Sequence, residues 1–180
     1  MKAIRHLYEE HGAESYYREH SDEYANPHYP QIETLLAANL HRLDCSGGVL
    51  DFSAGGGEVT RALSGLGVSN LTGCDPFTFD LFEKNTGRPC LRYSFKDLIR
   101  GAQPGNYSLI VCSFALHLCP PKELFPLCQA LFFAAPTLVV ITPHKRPELE
   151  QLPGFQLLWE DAALTERGKK VRMKAYAPRN

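Results

Sequence analysis

Acidic side chains follow short apolar runs in this 180-residue chain, and the first of these runs leads into a glycine-rich stretch. Asp51 lies in the apolar run that begins at Val49, and Gly55, Gly56 and Gly57 come next. Glycine lacks a Cβ and accepts positive φ, so such a loop lets the backbone approach a ligand closely. A carboxylate here repels a pyrophosphate but attracts an ammonium or sulfonium group. The residues therefore predict a cofactor loop and favour S-adenosylmethionine over NAD.

The spacing of the glycines argues against two common phosphate-binding motifs. A dinucleotide fingerprint requires Gly-x-Gly-x-x-Gly, and Thr60 stands where the third glycine belongs. A P-loop requires Gly-Lys-Ser/Thr after its glycines, and this sequence has no such tripeptide. A purely structural turn between a strand and a helix is the alternative interpretation of the loop.

Two further acids follow predicted strands at residues 70–75 and 89–93. Asp75 ends the first of them, where a carboxylate can accept hydrogen bonds from both hydroxyls of a ribose. Phe77 offers an apolar plate for an adenine ring, and Asp97 offers an acceptor for its amino group. For each acid, a role as a helix N-cap or as a solvated loop residue is the alternative.

These segments resemble the class I S-adenosylmethionine-dependent methyltransferases, and the resemblance extends over residues 48–178. The family's first motif matches residues 49–58, except that Ser53 stands where the family usually has a glycine. A serine fits there if its φ stays negative, and we do not expect this departure to abolish cofactor binding. Residues 107–117 are similar to a later motif that ends in Ser-x-x-Leu-His in many small-molecule methyltransferases. The Asn/Asp-Pro-Pro-Tyr/Phe motif of base-methylating relatives is absent, which disfavours nucleobase amino methylation.

The resemblance implies an α/β, Rossmann-like fold with a mostly parallel seven-stranded sheet, helices on both faces and a C-terminal antiparallel hairpin. We expect one domain over residues 1–180, with residues 1–47 as a helical cap or lid and residues 48–180 as the core. The first loop would hold the amino-acid end of S-adenosylmethionine, Asp75 its ribose, and Phe77 with Asp97 its adenine. The implied cofactor-binding residues are Asp51, Ser53, Gly55, Gly57, Asp75, Phe77, Asp97 and Ser113.

Alternating strand and helix patterns predict the same architecture independently of the resemblance. Pro30 can open a helix whose apolar residues recur at intervals of three and four, enough to cover one face of the sheet. We predict strands at residues 48–52, 70–75, 89–93, 108–113 and 137–142. Two more, at residues 155–160 and 170–176, would form the terminal hairpin. Little room for a helix remains between residues 142 and 155.

His117 follows the predicted fourth strand, beside the expected position of the sulfonium, and imidazole titrates near neutral pH. We therefore predict that it acts as a base or orients the substrate, with a packed, hydrogen-bonded histidine as the alternative. His28 and Tyr24 are weaker candidates in an aromatic N-terminal segment that could form a lid or simply cap the sheet. Methyl transfer depends mainly on positioning, so no obvious base is required.

Composition limits the classes of partner and the cellular locations that the sequence is compatible with. The formal net charge is −1, which gives no overall field to attract a polyanion, and 44% hydrophobic residues can fill one core. The six cysteines show no Cys-x-x-Cys pair and no metal-like spacing, so we expect reduced, mostly buried thiols and no metal. No secretory signal or membrane span is recognisable, and we expect a cytoplasmic location without membrane contact.

The favoured function is methyl transfer to an oxygen or nitrogen of a small-molecule substrate. Basic residues cluster near His144 and Lys170, which predicts a solvated basic edge. If both clusters lay on the same rim as the cofactor site, a nucleic acid or protein substrate would gain support, so methylation of RNA or of a protein side chain is one alternative. A non-catalytic S-adenosylmethionine-binding or interaction module is the other, because a fold alone does not fix a function.

Overall fold

A computed structural model describes residues 25–179. Its centre is a seven-stranded sheet, and the strands are β1 (Val49–Phe52), β2 (Leu71–Cys74), β3 (Cys90–Leu91), β4 (Leu109–Ser113), β5 (Leu138–Thr142), β6 (Phe155–Leu164) and β7 (Lys170–Pro178). The strand order is β3-β2-β1-β4-β5-β7-β6. The first five strands are parallel, and β7 is antiparallel to both β5 and β6. The predicted sheet with its terminal hairpin is confirmed.

Helices cover both faces because the central strands are apolar on both sides. The helices are α1 (Tyr29–Asn39), α2 (Glu58–Gly65), α3 (Phe79–Thr86), α4 (Phe95–Ile99) and α5 (Pro121–Ala134). Val111 and its neighbours on one face pack in a cluster with residues of α1 and α2. Ile110 and Val140 point to the other face and pack with residues of α4 and α5. Pro30 lies in the first turn of α1, as predicted.

The connection from β5 to the hairpin holds only a short 3₁₀ turn, Leu149–Gln151, as the sequence predicted. The hairpin strands are longer than predicted, because β6 continues to Leu164 and pairs with β7 over its whole length apart from an irregularity at Leu157/Trp159. The additional residues 161–164 include two alanines, which have low intrinsic strand propensity. Cross-strand pairing with β7 outweighs that propensity.

The third strand is shorter than predicted, with two residues instead of five. Only Gly73 and Cys74 of β2 pair with it, and the backbone N–H of Asp75 then donates to the carbonyl of Leu91 at 2.9 Å. Past Leu91 the chain turns towards α4, whose first turn is fixed by side-chain hydrogen bonds of Ser94. This early turn brings the segment from Tyr93 to Lys96 to the carboxyl edge of the sheet.

The cysteines agree with the prediction of reduced, mostly buried thiols. All six are free, and five of them are buried. Within residues 25–179, no helix combines the length and the apolar character needed to cross a membrane, and no group of three or more metal-binding side chains occurs there.

Gly73 gives a direct test of the packing between β2 and α3. A Cβ at this position would lie 2.5 Å from Cζ of Phe82, whose ring is fully buried. We therefore expect Gly73→Ala to lower the free energy of unfolding by about 1–3 kcal/mol through overpacking. Urea denaturation measures the change.

Gly65 in α2 is the matched control, because a Cβ there would meet nothing within 4 Å. Gly65→Ala should leave stability unchanged or raise it slightly. Equal effects of the two substitutions would contradict the close packing of Gly73 against Phe82.

Candidate functional site

The described residues enclose a cavity of about 250 Å³ where the carboxyl ends of β1, β2 and β4 meet. Ligands of open α/β sheets bind at this edge, and here the connections from β1 and β4 leave in opposite directions along the sheet. Five of the eight predicted cofactor-binding residues line it: Ser53, Gly55, Asp75, Phe77 and Ser113. The other lining residues are Pro76, Tyr93, Ser94, Phe95, Lys96, Phe114, Ala115, Leu118, Pro120 and Glu123.

The glycine loop turns sharply from β1 into α2. Gly57 has φ of 85° and precedes the first residue of α2, and its N–H donates to the carbonyl of Ala54 at 2.9 Å. A Cβ on Gly57 would lie 2.5 Å from Cγ2 of Thr86. Gly55, with φ of 56°, lies at the cavity wall. Both glycines have a left-handed backbone, which glycine adopts without strain, and packing also excludes a side chain at Gly57.

Asp75 joins the end of β2 to the glycine loop. Its Oδ2 accepts a hydrogen bond from the backbone N–H of Gly55 at 3.1 Å. Its Oδ1 accepts from the backbone N–H groups of Phe77 and Thr78 at 2.9 and 3.0 Å. The residue is 8% exposed and faces the cavity. One carboxylate thus fixes two loops and remains open to a ligand.

Asp51 lies beneath the loop and is fully buried. Its Oδ2 accepts from the backbone N–H and the hydroxyl of Thr60, at 3.1 and 2.8 Å. Its Oδ1 is buried and has no hydrogen-bond partner among residues 25–179. The pKa of Asp51 is raised to about 8, mainly by burial and to a smaller extent by the charges of Glu58 and Asp75, while the hydrogen bonds from Thr60 oppose the rise.

Glu58 adds a third carboxylate to this side of the sheet. It is buried in the first turn of α2, where its Oε1 accepts from the backbone N–H of Asn26 at 3.2 Å. No salt bridge connects Asp51, Glu58 or Asp75 to a basic side chain within the described range. Three neighbouring carboxylates without a paired cation make this half of the edge suited to a positively charged ligand.

The structure corrects the expectation for Ser53. Its φ is +58°, not negative, so the serine adopts the left-handed conformation that the family's glycine accepts easily. Phe114, with φ of +56°, is the other non-glycine residue with positive φ in residues 25–179. Both line the cavity, and backbone strain of this kind costs about 1–3 kcal/mol per residue. Such strain concentrates at functional sites, and no sequence pattern predicts it at Phe114.

Asp97 belongs to a capping box at the start of α4. Its Oδ2 accepts from the backbone N–H and the hydroxyl of Ser94, both at 2.8 Å, and these bonds lower its pKa. Asp97 does not line the cavity, whereas Tyr93 and Phe95 do. Tyr93 and Phe95 were not predicted as site residues, because the signal at this strand end was its acid and not the apolar neighbours of that acid.

His117 lies in the 3₁₀ turn Leu116–Leu118 and is not among the cavity-lining residues. Ala115 and Leu118 do line it, and in a 3₁₀ helix residues three apart share a face, so the intervening His117 points elsewhere. Its ring lies 4.6 Å from that of His144. Burial, and then the charge of His144, lower the pKa of His117 to about 4.

His28 precedes α1 and stacks on Phe114, with ring centroids 5.1 Å apart and an angle of 12° between the planes. His28 therefore contacts a residue of the cavity wall but does not line the cavity itself. Burial lowers the pKa of His28, and the charge of Lys169 lowers it more weakly. A hydrogen bond with Gln31 opposes this fall. Tyr24 lies outside the described residues, so its predicted role stays a prediction.

The buried Asp51 predicts a specific pH dependence of stability. Its pKa is about 8 in the folded protein against an ordinary 3.8, so the folded state holds a proton that the unfolded chain releases. This contribution is present below about pH 4 and is lost as the pH rises towards about 8. Asp51→Asn removes the titration while keeping an acceptor for Thr60. Its free energy of unfolding should therefore rise relative to the parent as the pH increases.

Urea denaturation between about pH 5 and pH 8 measures this difference. The control is Asp80→Asn, at an exposed acid in the first turn of α3, which should give a difference that changes little with pH. A constant difference for Asp51→Asn would contradict a raised pKa at Asp51.

The loop itself is tested at Gly57. Gly57→Ala should destabilise the fold more than Gly67→Ala, because both glycines have φ near 90° but only Gly57 has a close neighbour. The strain of the left-handed backbone is common to both, so the excess reports the contact with Thr86. Thermal unfolding of the two variants measures it. Adding Thr86→Ser to Gly57→Ala should restore part of the loss, and the absence of any restoration would rule out that contact as the cause.

Comparison with known proteins adds one relative in sequence and many in structure. No family model matches the chain. An uncharacterized protein of Schizosaccharomyces pombe is 31% identical, over 80% of this chain and 76% of its own length. This identity and coverage are sufficient to place the two proteins in one family.

Solved structures with the same fold share little sequence. The magnesium protoporphyrin IX methyltransferase from Synechocystis PCC 6803 with bound S-adenosylmethionine is 16% identical, with a TM-score of 0.66 over 98% of this chain and 95% of its own. A SAM-dependent methyltransferase from Anabaena variabilis is 12% identical, with a TM-score of 0.70 over 91% and 92%. The chain therefore belongs to the family of the Schizosaccharomyces pombe protein and has the fold of the class I S-adenosylmethionine-dependent methyltransferases.

Proposed function

We propose that this protein binds S-adenosylmethionine and transfers its methyl group to an oxygen or nitrogen of a small molecule in the cytoplasm. The observation that carries the proposal is the cavity at the carboxyl edge, which Asp75 lines, with Asp51 buried beneath the glycine loop beside it. Neither acid has a basic partner in residues 25–179. Bound S-adenosylmethionine supplies a methyl group on a sulfonium, which becomes a neutral thioether as the acceptor gains the methyl and loses a proton.

The residues around the glycine loop suit the amino-acid end of this cofactor. Oδ1 of Asp51 has no hydrogen-bond donor in residues 25–179, and a buried acceptor without a donor lowers the free energy of unfolding by about 1–3 kcal/mol. A cation near Asp51 and Asp75 would lower the cost of ionising Asp51. Gly55 keeps the cavity wall free of a side chain, and Asp75 accepts from its N–H. We assign the amino-acid end to Asp51 and the loop, with Ser53 and Ser113 beside them, and the ribose to Asp75.

The other end of the cavity suits an adenine ring. Phe77, Tyr93, Phe95 and Leu118 give it apolar walls, and apolar walls with few polar groups are typical of cofactor sites. In Asp97, Oδ2 accepts the hydrogen bonds of the capping box. Its Oδ1, which has no hydrogen bond to a described residue, is the atom that we assign to the adenine amino group.

The protein's contribution to the reaction is mainly positioning and exclusion of water. Phe114 and Ala115 wall the cavity at the end of β4, and His28 covers Phe114 from outside. At neutral pH, His117 is uncharged because its pKa is about 4, so it can accept a proton but holds it weakly. We assign His117 and His28 supporting roles at the acceptor side, and Tyr24 the weaker role of a lid residue.

Methylation of RNA is the second candidate, and the topology favours it in one respect. His144 follows the carboxyl end of β5, and Lys170 begins β7, which runs antiparallel to β5. Both basic clusters therefore lie at the same edge of the sheet as the cavity. The non-catalytic binding module and a protein substrate remain alternatives that methyl-transfer assays distinguish.

Cofactor binding is tested by calorimetric titration with S-adenosylmethionine and S-adenosylhomocysteine. We expect both to bind, and Asp75→Asn to weaken both by about tenfold or more, since one oxygen of a charged acceptor is lost. Asparagine keeps one carbonyl oxygen for the N–H groups of Phe77 and Thr78. Asp80→Asn is the control and should leave both affinities within about twofold.

The outcomes separate the alternatives. Binding that is unaffected by Asp75→Asn would contradict the assigned site, and no binding at all would overturn the proposed function. Binding without formation of S-adenosylhomocysteine across a broad panel of small-molecule, RNA and protein acceptors would favour the non-catalytic module.

A further inference from the structure

Two histidines form a pair on the opposite side of β4 from the carboxylates. His117 comes from the 3₁₀ turn after β4, and His144 lies just past β5. Their ring centroids are 4.6 Å apart, and the ring planes meet at 59°. His117 is partly buried and His144 is exposed, so one side of the pair is open to solvent.

The buried ring of this pair has an unmet hydrogen-bonding group. Nδ1 of His117 is buried and has no partner in residues 25–179. Its neighbours in the turn, Ala115 and Leu118, face the cavity, so the pair lies beside the cavity. A polar group bound by this pair would lie next to the proposed methyl-transfer site and outside its cavity. In the described part of the chain, no third metal-binding side chain joins the two histidines in a group that could hold an ion, which disfavours a metal as the occupant.

The loop that carries His144 is held by an unusual anchor. Lys174 of β7 is only 3% exposed, and its Nζ donates to the backbone carbonyl of Lys145 at 3.2 Å. No carboxylate among residues 25–179 lies within salt-bridge distance of this ammonium group. The N–H of His144 donates to the hydroxyl of Thr142 at 3.1 Å. A buried lysine is normally paired with an acid, whereas Nζ of Lys174 has a backbone carbonyl as its partner, and Glu160, opposite it on β6, pairs with Arg172.

The charges at the carboxyl edge divide between its two halves. Asp51, Glu58 and Asp75 lie on the side of β1 and β2. On the side of β5 and β7, basic residues predominate: Lys145, Arg146, Lys169, Lys170, Arg172 and Lys174. Two acids offset part of this charge, since Glu148 lies 3.8 Å from Nζ of Lys145 and Glu160 lies 3.2 Å from Arg172. A ligand that spans the two halves would therefore carry opposite charges at its two ends.

From these contacts we propose that the histidine pair and the loop of residues 143–147 bind an anionic group, a phosphate or a carboxylate, of the methyl acceptor. This inference rests on the proposed function and names the substrate class of the same site. His144 and Arg146 donate to the anion from the solvent side, and the anchored loop fixes their backbone. The acceptor atom then lies at the Phe114 end of the cavity, with the anion held beyond it.

Imidazole side-chain NMR spectra of the whole chain, with S-adenosylhomocysteine present, test the site with inorganic phosphate as the probe. We expect saturable shifts of the His117 and His144 signals, and little change at His41, an exposed residue after α1. Both His144→Gln and Arg146→Gln should weaken phosphate binding by about tenfold, the loss expected for one charge-assisted hydrogen bond. The control His41→Gln should leave the affinity within about twofold.

Two results would overturn the proposal: no saturable shift at His117 and His144, or equal shifts at every exposed histidine. Failure here with intact binding of S-adenosylhomocysteine would leave the proposed function standing, so the two failures are distinguishable. A parallel titration with a short single-stranded RNA identifies the source of the anion. Much tighter binding with steep salt dependence supports a nucleic acid, and binding no tighter than that of phosphate supports a small anionic acceptor.

Discussion

The carboxylate of Asp75 is the interaction that organises the carboxyl edge of the sheet. It accepts hydrogen bonds from the N–H groups of Gly55, Phe77 and Thr78, and thereby ties the glycine loop to the loop after β2. Both loops need this connection, because each would otherwise leave backbone donors unpaired in a nearly buried place. The same carboxylate faces the cavity, so the group that holds the two loops together is also available to a ligand.

Strained backbone at the cavity depends on rigid neighbours. Ser53 and Phe114 have positive φ, and each donates its N–H to an adjacent strand end, to Cys74 at 2.8 Å and to Ile141 at 2.8 Å. The strands that precede them, β1 and β4, are buried except at Ser113, and their packing offsets the cost of the two conformations. The strain keeps the first residues after β1 and β4 at the cavity wall, which agrees with a site whose main task is positioning.

Much of the fold could be predicted from the sequence because the central strands are short apolar runs and the turns carry glycine or proline. The order of the elements, the glycine loop and the cavity residues Asp75, Phe77 and Ser113 followed from these patterns. The positive φ of Ser53 did not, because serine adopts that conformation only under tertiary constraint. The direction of the His117 side chain depends on a 3₁₀ turn. The position of the loop that carries His144 depends on a lysine distant in sequence. No local pattern encodes either of these.

The two halves of the site place opposite charges on either side of β4, and the proposed cofactor site depends on the acidic half. A crystal structure of the chain with S-adenosylhomocysteine would test this site most directly. We predict the ribose hydroxyls on the carboxylate of Asp75 and the adenine ring between Phe77 and the apolar residues around Leu118. A ligand bound elsewhere, with Asp75 still bonded only to the backbone of its own loops, would contradict this prediction.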